Sequence, residues 1–446
     1  MINLPHELVN LAKYFDESTP LYLVGGAVRN HLLGYELGDY DIASSLTISE
    51  VANILPKEYV IECEYSRTGT IVICIGNYKF EYTTFRVDSY PLSSGVHTPT
   101  SVEFTRDIAL DAKRRDFTCN ALYYDIIKGE IIDLVGGLED IENRVIRTVK
   151  DPNITLAEDA LRIMRLARFS AELNFAIERD TFLASQNNAY KLKDISTERI
   201  HDELVKILKA KEKYNKLKSV RASYGIDLLV HLKAMQYIIP ELVDCIGVEQ
   251  NPNYHIYDVY NHILKVVNNL PSDIRMAGLL HDIAKPILLK KYGVMYGHDK
   301  VGESVSKEIL ERLKFSNNDI KRYSKLVGIH MYNLDNKTKD SKLRCFIVEN
   351  FEYIDDYIKL RVADGLASRC DIFDRASIDR VEKIREELVK NKVPLRIVDM
   401  EISGNDLLEN GYKGVEIGKK LNELWIEQIK NGVRYDKETL LKRIKK

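Results

Sequence analysis

The chain has 446 residues and a net charge of -2, and 45% of its residues are hydrophobic and 30% charged. This length exceeds one ordinary hydrophobic core, so several domains are expected, and the composition is typical of a soluble globular protein. No segment approaches the roughly 18 apolar residues of a membrane span. The six cysteines are scattered and show no CxxC spacing, which argues against a zinc ribbon or a disulfide framework. This pattern favours a reducing, cytoplasmic compartment.

The first 140 residues predict a mixed sheet with helices, because short apolar or β-branched segments alternate with turn residues. A helix is expected over 27–33, and the Ser-, Pro- and Gly-rich stretch 87–99 predicts a mobile loop. The dipeptides Gly76-Asn77 and Lys128-Gly129 predict turns between paired strands. The expected strands span 21–24, 39–43, 70–75, 78–85, 121–127 and 130–134.

Beyond residue 141 the apolar residues recur mainly at helical spacing, so the rest of the chain is predicted to be helical. The change in composition predicts a domain boundary there, and the His-rich stretch 255–330 marks a further unit. We therefore expect four parts, which are a head (1–140), a neck (141–213), a body (214–389) and a tail (390–446). The expected helices include 158–169, 200–209, 257–269, 301–314 and 376–390.

Two aspartates follow a glycine turn near the start of the head. Asp39 and Asp41 stand at i and i+2 on a predicted strand, so their carboxylates point to the same side. Carboxylate oxygens suit Mg²⁺, and two metals about 3.5–4 Å apart can stabilise both the attacking and the leaving oxygen of phosphoryl transfer. Gly25 and Gly26 would let a triphosphate approach a helix N-terminus, and Arg29 would add a bidentate phosphate donor.

Glu81, on the neighbouring predicted strand 78–85, is a candidate third catalytic carboxylate. An ordinary turn explains the glycines alone, and a capped loop explains the Asp-x-Asp pair alone. Together and in this order they favour a paired-metal site for nucleotidyl transfer.

The segments 23–29 and 39–41 resemble the active-site signature of the nucleotidyltransferase superfamily. With the motifs described below, the chain is similar to class II tRNA nucleotidyltransferases, the CCA-adding enzymes, and to the related bacterial poly(A) polymerases. The family usually has Asp where this chain has Asn30. The resemblance implies a multidomain α+β protein, in which a nucleotidyltransferase head with a small mixed β-sheet and helices precedes an all-α neck, body and tail.

A polar cluster at 113–121 precedes a predicted strand. Asp116 and Asn120 can hydrogen-bond ribose hydroxyls, and Arg114 and Arg115 can bind phosphate. A basic surface turn capped by Asp is the alternative. The family has the same Arg-Arg-Asp-Phe-Thr-x-Asn-Ala pattern, which implies a role in selecting ribonucleotides.

The predicted helix 158–169 carries a pair that suits base recognition. Asp159 can accept from the amino group of cytosine or adenine while Arg162 donates to the ring nitrogen beside it. Uracil and guanine present a carbonyl there and would be rejected. A solvated basic stripe, with Arg162 paired to Glu158, is the alternative. The resemblance implies protein-templated choice of CTP and ATP.

Arg165 and Arg168 continue this stripe at steps of three residues and are further candidate nucleotide ligands. The family often has Arg and Phe where Thr155 and Leu156 stand here, and Pro where Ala160 stands. The segment 196–204 is similar to the family's neck, and we interpret it as structural, with Ser196 as the cap of a helix.

Five histidines lie between 255 and 330, and helical neighbours surround most of them. Ligands from successive helices can hold a divalent transition metal or Mg²⁺, which would activate water against a phosphate ester. The pattern resembles the HD phosphohydrolase domain. For His255, ligation and simple packing are both left open. The resemblance implies metal ligation by His262, His281, Asp282 and Asp364, and a second metal or phosphate position at His298 and His330.

The segment 404–421 resembles the family's C-terminal part, although a plain helix-turn-helix with Gly caps explains it equally well. The end of the chain is basic, which is consistent with holding tRNA. Its cationic residues are Lys419, Lys420, Lys442, Arg443, Lys445 and Lys446.

The sequence thus predicts template-independent addition of CCA to tRNA 3′ ends from CTP and ATP, with Mg²⁺ at the transferase site and metal-dependent phosphohydrolase activity in the HD domain. Poly(A) polymerase and an enzyme that adds only part of CCA are the nearest alternatives. An HD-type phosphohydrolase with a nucleotide-binding regulatory head is an alternative of another class, and a non-enzymatic RNA-binding protein is the least favoured.

Overall fold

The structure is a computed structural model that describes residues 2–90, 99–210, 222–334, 337–368 and 375–445, with 63–66 described by their backbone alone. The chain divides into two compact units, 1–243 and 244–446. Strands lie in the first unit and the second is helical, so the expected α+β class is confirmed. The finer division into head, neck, body and tail stays a prediction.

The first unit contains one large sheet and two short strand pairs. Among the described residues, seven strands form the sheet in the order β3-β4-β5-β2-β1-β8-β9, while β6 pairs with β7 and β10 with β11. The strands are β1 (Tyr22–Val24), β2 (Tyr40–Ser44), β3 (Val60–Tyr65), β4 (Thr70–Ile75), β5 (Tyr78–Thr84), β6 (Arg86–Ser89), β7 (Ser101–Phe104), β8 (Leu122–Asp125), β9 (Glu130–Asp133), β10 (Val145–Ile146) and β11 (Ala176–Ile177).

In the first unit, helices lie before and between the strands in sequence and also follow the last of them. They are His6–Ala12, Gly26–Leu32, Ile48–Ile54, Ile108–Arg114, Gly137–Glu142, Pro152–Glu158, Leu161–Leu173, Arg179–Asn188, Thr197–Leu208, Ala222–His231 and Pro240–Val243. Those of the second unit are Val259–Asn269, Arg275–Leu280, Lys285–Tyr292, His298–Arg312, Asn317–Ile329, Asp340–Glu349, Ile354–Ala367, Ala376–Lys390, Gly404–Glu409, Val415–Asn431 and Lys437–Ile444.

The sheet is mixed, because β2 and β5 run parallel whereas the other neighbouring pairs are antiparallel. The β4–β5 hairpin turns at the expected dipeptide, where Gly76 has a φ of +59° that suits a residue without Cβ. Between β2 and β1 the sheet brings the glycine turn after β1 close to the start of β2. The candidate carboxylates therefore lie beside the candidate phosphate turn.

Two expectations differ from the structure. The helix predicted over 158–169 is interrupted, because one helix ends at Glu158, Asp159 is extended with φ -142° and ψ 100°, and the next helix begins at Leu161. The loop predicted over 87–99 begins as strand β6, which pairs with β7, and its residues 91–98 lie outside the described residues.

Each unit has its own apolar core. In the first unit, Tyr22, Ala43 and Tyr123 pack together on one face of the sheet. The second unit has a larger core, which includes Leu343, Tyr357 and other buried residues of its helices. Among the helices of the described ranges, none has the length and apolar character that crossing a bilayer requires.

Candidate functional sites

The turn after β1 presents backbone at a helix N-terminus. Gly25 has φ +68° and ψ -128° and precedes the helix Gly26–Leu32. A side chain with Cβ rarely adopts this conformation. A Cβ on Gly25 would also lie 3.6 Å from Arg115 Nη1 and from the carbonyl oxygen of Asn120. The Gly25 N–H donates to the Leu122 carbonyl at 3.1 Å, so the groups suited to phosphate are the N–H groups at the start of the helix Gly26–Leu32.

Three exposed carboxylates lie at the start of β2 and in the middle of the neighbouring strand β5. Asp39 precedes β2, and Asp41 lies within it directly opposite Glu81 of the parallel strand β5. Residues opposite each other on neighbouring strands project from the same face of a sheet. Because all three side chains are exposed and offer only oxygen ligands, they fit a hard divalent cation such as Mg²⁺.

The structure places Arg29 beneath the turn rather than on an open surface. Its side chain is buried, and its guanidinium donates from Nη2 to Asn30 Oδ1 at 2.8 Å, and also to the side-chain oxygen of Asn120. The guanidinium carbon lies 5.2 Å from the centre of the Phe169 ring. Asn30 thus supplies the acceptor at the position where the family usually has Asp.

Arg114 and Arg115 converge on a buried carboxylate that the sequence reasoning missed. Asp111 accepts from Arg114 Nε at 2.8 Å, from Arg115 Nη2 at 3.0 Å and from the Tyr123 hydroxyl at 2.6 Å. Burial would raise the pKa of Asp111, but the two guanidinium groups and the Tyr123 hydroxyl hold this pKa at about 2. The spacing of three and four residues on one helix was the signal for this pair of contacts.

Asp116 and Asn120 lie side by side, as ribose binding would require. Asn120 Nδ2 donates to Asp116 Oδ1 at 3.4 Å, and Arg165 Nε donates to Asp116 Oδ2 at 2.7 Å. Burial by itself would raise the pKa of Asp116, but the Arg165 and Arg162 guanidinium groups lower it. The structure therefore joins the predicted ribose pair to one of the predicted arginines of the stripe.

The proposed base-reading pair lies at the break between two helices, and each member has its own supports. Arg162 Nη1 donates to the Thr155 carbonyl at 3.0 Å and to Glu158 Oε2 at 3.3 Å, and Nη2 donates to the Arg114 carbonyl at 3.0 Å. Asp159 Oδ1 accepts from the backbone N–H of Leu161 at 3.1 Å. The contact to Thr155 uses its backbone carbonyl, so it does not depend on the side chain at this position, where the chain departs from the family pattern.

The stripe of arginines is not a solvated surface, because Arg162 and Arg168 are buried and Arg165 contacts the buried Asp116. Arg168 Nε lies 2.9 Å from Glu203 Oε2 of the helix Thr197–Leu208. The guanidinium carbons of Arg165 and Arg168 lie 5.2 and 4.3 Å from the centre of the Phe169 ring, which also faces Arg29. The sequence reasoning missed Phe169, because an aromatic residue inside a helix is most often a core residue.

In the second unit, Asp282 lies between two pairs of histidines. Its Oδ2 lies 3.2 Å from His281 Nε2 and 3.5 Å from His262 Nε2, and its Oδ1 lies 3.1 Å from His298 Nε2 and 3.6 Å from His330 Nε2. All five residues are buried. Within the described ranges, two groups have ligand atoms close enough for one cation each, and these are His262, His281 and Asp282, and Asp282, His298 and His330.

The orientation of the imidazoles fits metal ligation. The Nδ1 atoms of His281, His298 and His330 lie 2.7–2.9 Å from backbone carbonyls of Gly278, Met295 and Val327. If Nδ1 carries the proton that such a contact needs, the Nε2 lone pair points towards Asp282. The Nε2 atoms of His298 and His330 are only 3.2 Å apart. A cation between these nitrogens would satisfy both lone pairs.

Asp364 lies beside the first group, and its Oδ1 is 3.1 Å from His262 Nε2. Its other oxygen accepts from Arg361 Nη1 at 3.0 Å. Burial would raise the pKa of Asp364, but His262 and Arg361 hold this pKa far below its usual range. His255 packs edge-on against His262, and burial and nearby Lys285 lower the pKa of His255 to about 4.

A cavity of about 780 Å³ opens onto this cluster, and Asp282, His298 and Asp364 line it. Three cationic residues that the sequence reasoning did not assign also line the cavity, and these are Lys285, Lys300 and Arg361. Lys285 Nζ lies 2.6 Å from Asp282 Oδ2 and 2.7 Å from Gln250 Oε1. The cavity thus combines candidate metal ligands with cations suited to a phosphate group.

Part of the basic tail is paired with acids. Lys420 lies 3.2 Å from Glu423, and Lys442 lies 2.7 Å from Glu438. Arg443 pairs with Glu427. Lys446 lies outside the described residues, and the role of this end in holding tRNA stays a prediction.

Family models match three parts of the chain. The poly A polymerase head domain matches residues 21–147, the probable RNA and SrmB-binding site of polymerase A matches 174–246, and the HD domain matches 254–375.

Whole-chain relatives agree with these matches. The chain is 31% identical to the CCA-adding enzyme of Ligilactobacillus salivarius, over 100% of this chain and 98% of the relative, and 32% identical to that of Lactococcus lactis strain IL1403, over 99% and 98%. The crystal structure of the Bacillus stearothermophilus CCA-adding enzyme in complex with CTP is similar with a TM-score of 0.70 at 26% identity, covering 98% of this chain and 96% of that one.

Proposed function

The chain belongs to the CCA-adding enzyme family, and from this membership we propose that it adds C, C and A to the 3′ end of tRNA, using CTP and ATP and releasing pyrophosphate. The enzyme is then a nucleotidyltransferase that works without a nucleic-acid template. A cytoplasmic location, which the scattered cysteines favour, belongs to the same proposal.

The observation that carries the proposal is the exposed carboxylate group of Asp39, Asp41 and Glu81 beside the Gly25-Gly26 turn. Asp39 and Asp41 would hold Mg²⁺, with Glu81 as the third carboxylate. When bound, the metal supplies charge stabilisation to the oxygens around the transferred phosphorus. The N-terminus of the helix Gly26–Leu32, just after this glycine turn, would offer its first backbone N–H groups to the triphosphate.

The chain's own side chains would select the nucleotide. Asp116 and Asn120 accept and donate at the ribose hydroxyls, and Arg165 fixes the Asp116 carboxylate from the other side. Asp159 accepts from the amino group of cytosine or adenine, and Arg162 donates to the ring nitrogen. A carbonyl at the amino position would leave Asp159 facing another acceptor, so UTP and GTP are rejected.

Arg29, Arg114, Arg115 and Arg168 are held by internal partners around this site. We assign them to phosphate and nucleotide binding, supported by their nearness to the glycine turn and to Phe169.

The test is incubation of the protein with a tRNA transcript that lacks its CCA end, supplied with CTP, ATP or both. We expect two cytidylates with CTP alone and complete CCA with both nucleotides. Long adenylate tails with ATP alone would instead identify a poly(A) polymerase, and products that stop at CC with both nucleotides would identify a partial enzyme. No incorporation from any mixture would refute nucleotidyl transfer.

A second activity is favoured by the position of Asp282 between two histidine pairs above a cavity with cationic residues. We propose a metal-dependent phosphohydrolase, a phosphodiesterase or phosphatase, with His262, His281, Asp282 and Asp364 as ligands. His298 and His330 would hold a second cation or a phosphate group. The cation, a divalent transition metal or Mg²⁺, would supply an activated water. Hydrolysis of bis(p-nitrophenyl) phosphate and p-nitrophenyl phosphate in a series of divalent metals tests this activity and the choice of metal.

A further inference from the structure

Asp159 is held on both of its carboxylate oxygens by separate elements. Oδ1 accepts from the backbone N–H of Leu161, at the first residue of the following helix. Oδ2 accepts from Arg199 Nη2 at 2.6 Å. The contact with Arg199 spans 40 residues of sequence and lies within the first unit. The helix Thr197–Leu208, which carries Arg199, therefore contacts the proposed base-reading carboxylate directly.

The helix that carries Arg199 is held in place by its buried apolar face. It spans Thr197–Leu208, and its apolar face buries Ile200, Leu204 and Ile207. One turn beyond Arg199, Glu203 pairs with Arg168 at 2.9 Å. The same helix thus contacts two residues of the candidate nucleotide site, Asp159 and Arg168.

The other half of the base-reading pair does not depend on Arg199 in its described contacts. Arg162 is held by two backbone carbonyls and by Glu158. Asp159, by contrast, lies in the extended break between helices, where the backbone of a helix does not restrain it. Its terminal torsion is of the broad kind that staggered wells do not fix. The ion pair with Arg199 is the contact that sets the direction of Oδ2.

We propose that Arg199 is a positioning residue for base selection, an inference that rests on the proposed function. It fixes the Asp159 carboxylate so that an acceptor faces the amino group of cytosine or adenine. Each carboxylate oxygen has two acceptor sites, so Oδ2 can bind Arg199 and still accept from a base. Without Arg199 the carboxylate can turn away, and a uracil or guanine carbonyl then meets less repulsion. Base selectivity therefore depends on a residue that need not touch the base.

The experiment compares single-nucleotide incorporation from CTP and UTP on a tRNA lacking its CCA end, and from ATP and GTP on one ending in CC. The variants are Arg199→Ala, Arg199→Lys, Asp159→Ala and the double variant. Lys209→Ala is the matched control, because it removes an exposed cation from the same segment. Thermal unfolding of each variant separates a general loss of folding from a change in selectivity.

We expect Arg199→Ala to lower the ratio of kcat/KM for CTP to kcat/KM for UTP by on the order of 100-fold. A misplacement of about 1 Å at an active site causes a loss of rate of this size. Arg199→Lys keeps a cation without the planar fork and should retain part of the selectivity. The Lys209→Ala ratio should equal that of the wild type. Because Arg199 acts through Asp159, adding Arg199→Ala to Asp159→Ala should change the ratio no further.

An active wild type whose CTP:UTP and ATP:GTP ratios survive Arg199→Ala would overturn the inference and leave the proposed function intact. Additive losses in the double variant would also overturn it, since Arg199 would then act by another route. A wild type that incorporates no cytidylate would overturn the proposed function, and this inference with it.

Discussion

Asp41 on β2 lies directly opposite Glu81 on the parallel strand β5, and both side chains are exposed. The strand register therefore puts the second aspartate of the Asp-x-Asp pair and a glutamate 40 residues later on one face of the sheet. This arrangement suits a shared cation, because hard divalent cations are bound by several oxygen ligands.

We predict that Asp39→Ala or Asp41→Ala abolishes incorporation of radiolabelled cytidylate. Loss of a metal supplying several kcal/mol of charge stabilisation lowers kcat on the order of 1000-fold or more. Because both side chains are exposed, the melting temperature should stay close to that of the wild type. Glu62→Gln, an exposed carboxylate on β3 paired with Lys79, is the control and should remain active. Normal cytidylate incorporation by both aspartate variants would refute this chemistry.

Because of Asp111, the free energy of unfolding should fall at low pH. Its folded pKa is about 2, against an unfolded value of about 4, so it stabilises the fold above pH about 4 and loses this contribution as the pH falls towards 2. The shift corresponds to about 2 kcal/mol. Denaturant unfolding from pH 5 to pH 2.5 should show this loss in the wild type and less of it in Asp111→Asn.

At neutral pH, Asp111→Asn should itself lower the free energy of unfolding by about 3–5 kcal/mol, since it leaves Arg114 and Arg115 near a neutral partner in a buried site. Asp107→Asn, which changes an exposed carboxylate at the start of the same helix, should cost about 1 kcal/mol or less. Equal stability of wild type and Asp111→Asn would show that the buried pairing contributes little.

Asn30→Asp, which restores the residue usual in the family, should stabilise the protein. The Asn30 oxygen accepts from Arg29 Nε at 3.2 Å and from Nη2 at 2.8 Å, and a carboxylate would turn these contacts into charge-assisted hydrogen bonds. We expect a gain of about 1 kcal/mol in the free energy of unfolding, measured with urea, and unchanged cytidylate incorporation. A loss of stability would mean that burying the added charge outweighs its pairing with Arg29.

His281→Ala and Asp282→Ala should abolish metal-dependent phosphodiester hydrolysis and leave CCA addition unchanged. A cation at 100 times its Kd should stabilise the wild type by about 2.7 kcal/mol and these variants by much less, and a chelator should remove the difference. Glu308→Gln, an exposed carboxylate change in the helix His298–Arg312, is the control and should respond to metal like the wild type. Equal hydrolysis by wild type and both variants would refute the phosphohydrolase.

Local patterns were enough to predict the features that depend on neighbouring residues. The Gly76-Asn77 hairpin, the helix after Gly25 and the strand pair around Lys128-Gly129 all follow from short-range geometry, and the structure contains them. The family was also identified from short motifs, because nucleotide and metal chemistry needs particular residue types at fixed spacing. The assignment of individual residues to substrate stays a prediction.

Only the tertiary structure shows which charged side chains from remote parts of the sequence form ion pairs. Arg199 reaches Asp159 over 40 residues and Arg165 reaches Asp116 over 49, and neither spacing has a periodicity that sequence can show. The break at Asp159 was also hidden, because helical spacing continues through it on both sides. Sequence determined the local elements and the chemistry of the motifs. Packing between segments remote in sequence decided how the charged groups pair, because burial and distance between such segments are properties of the folded chain.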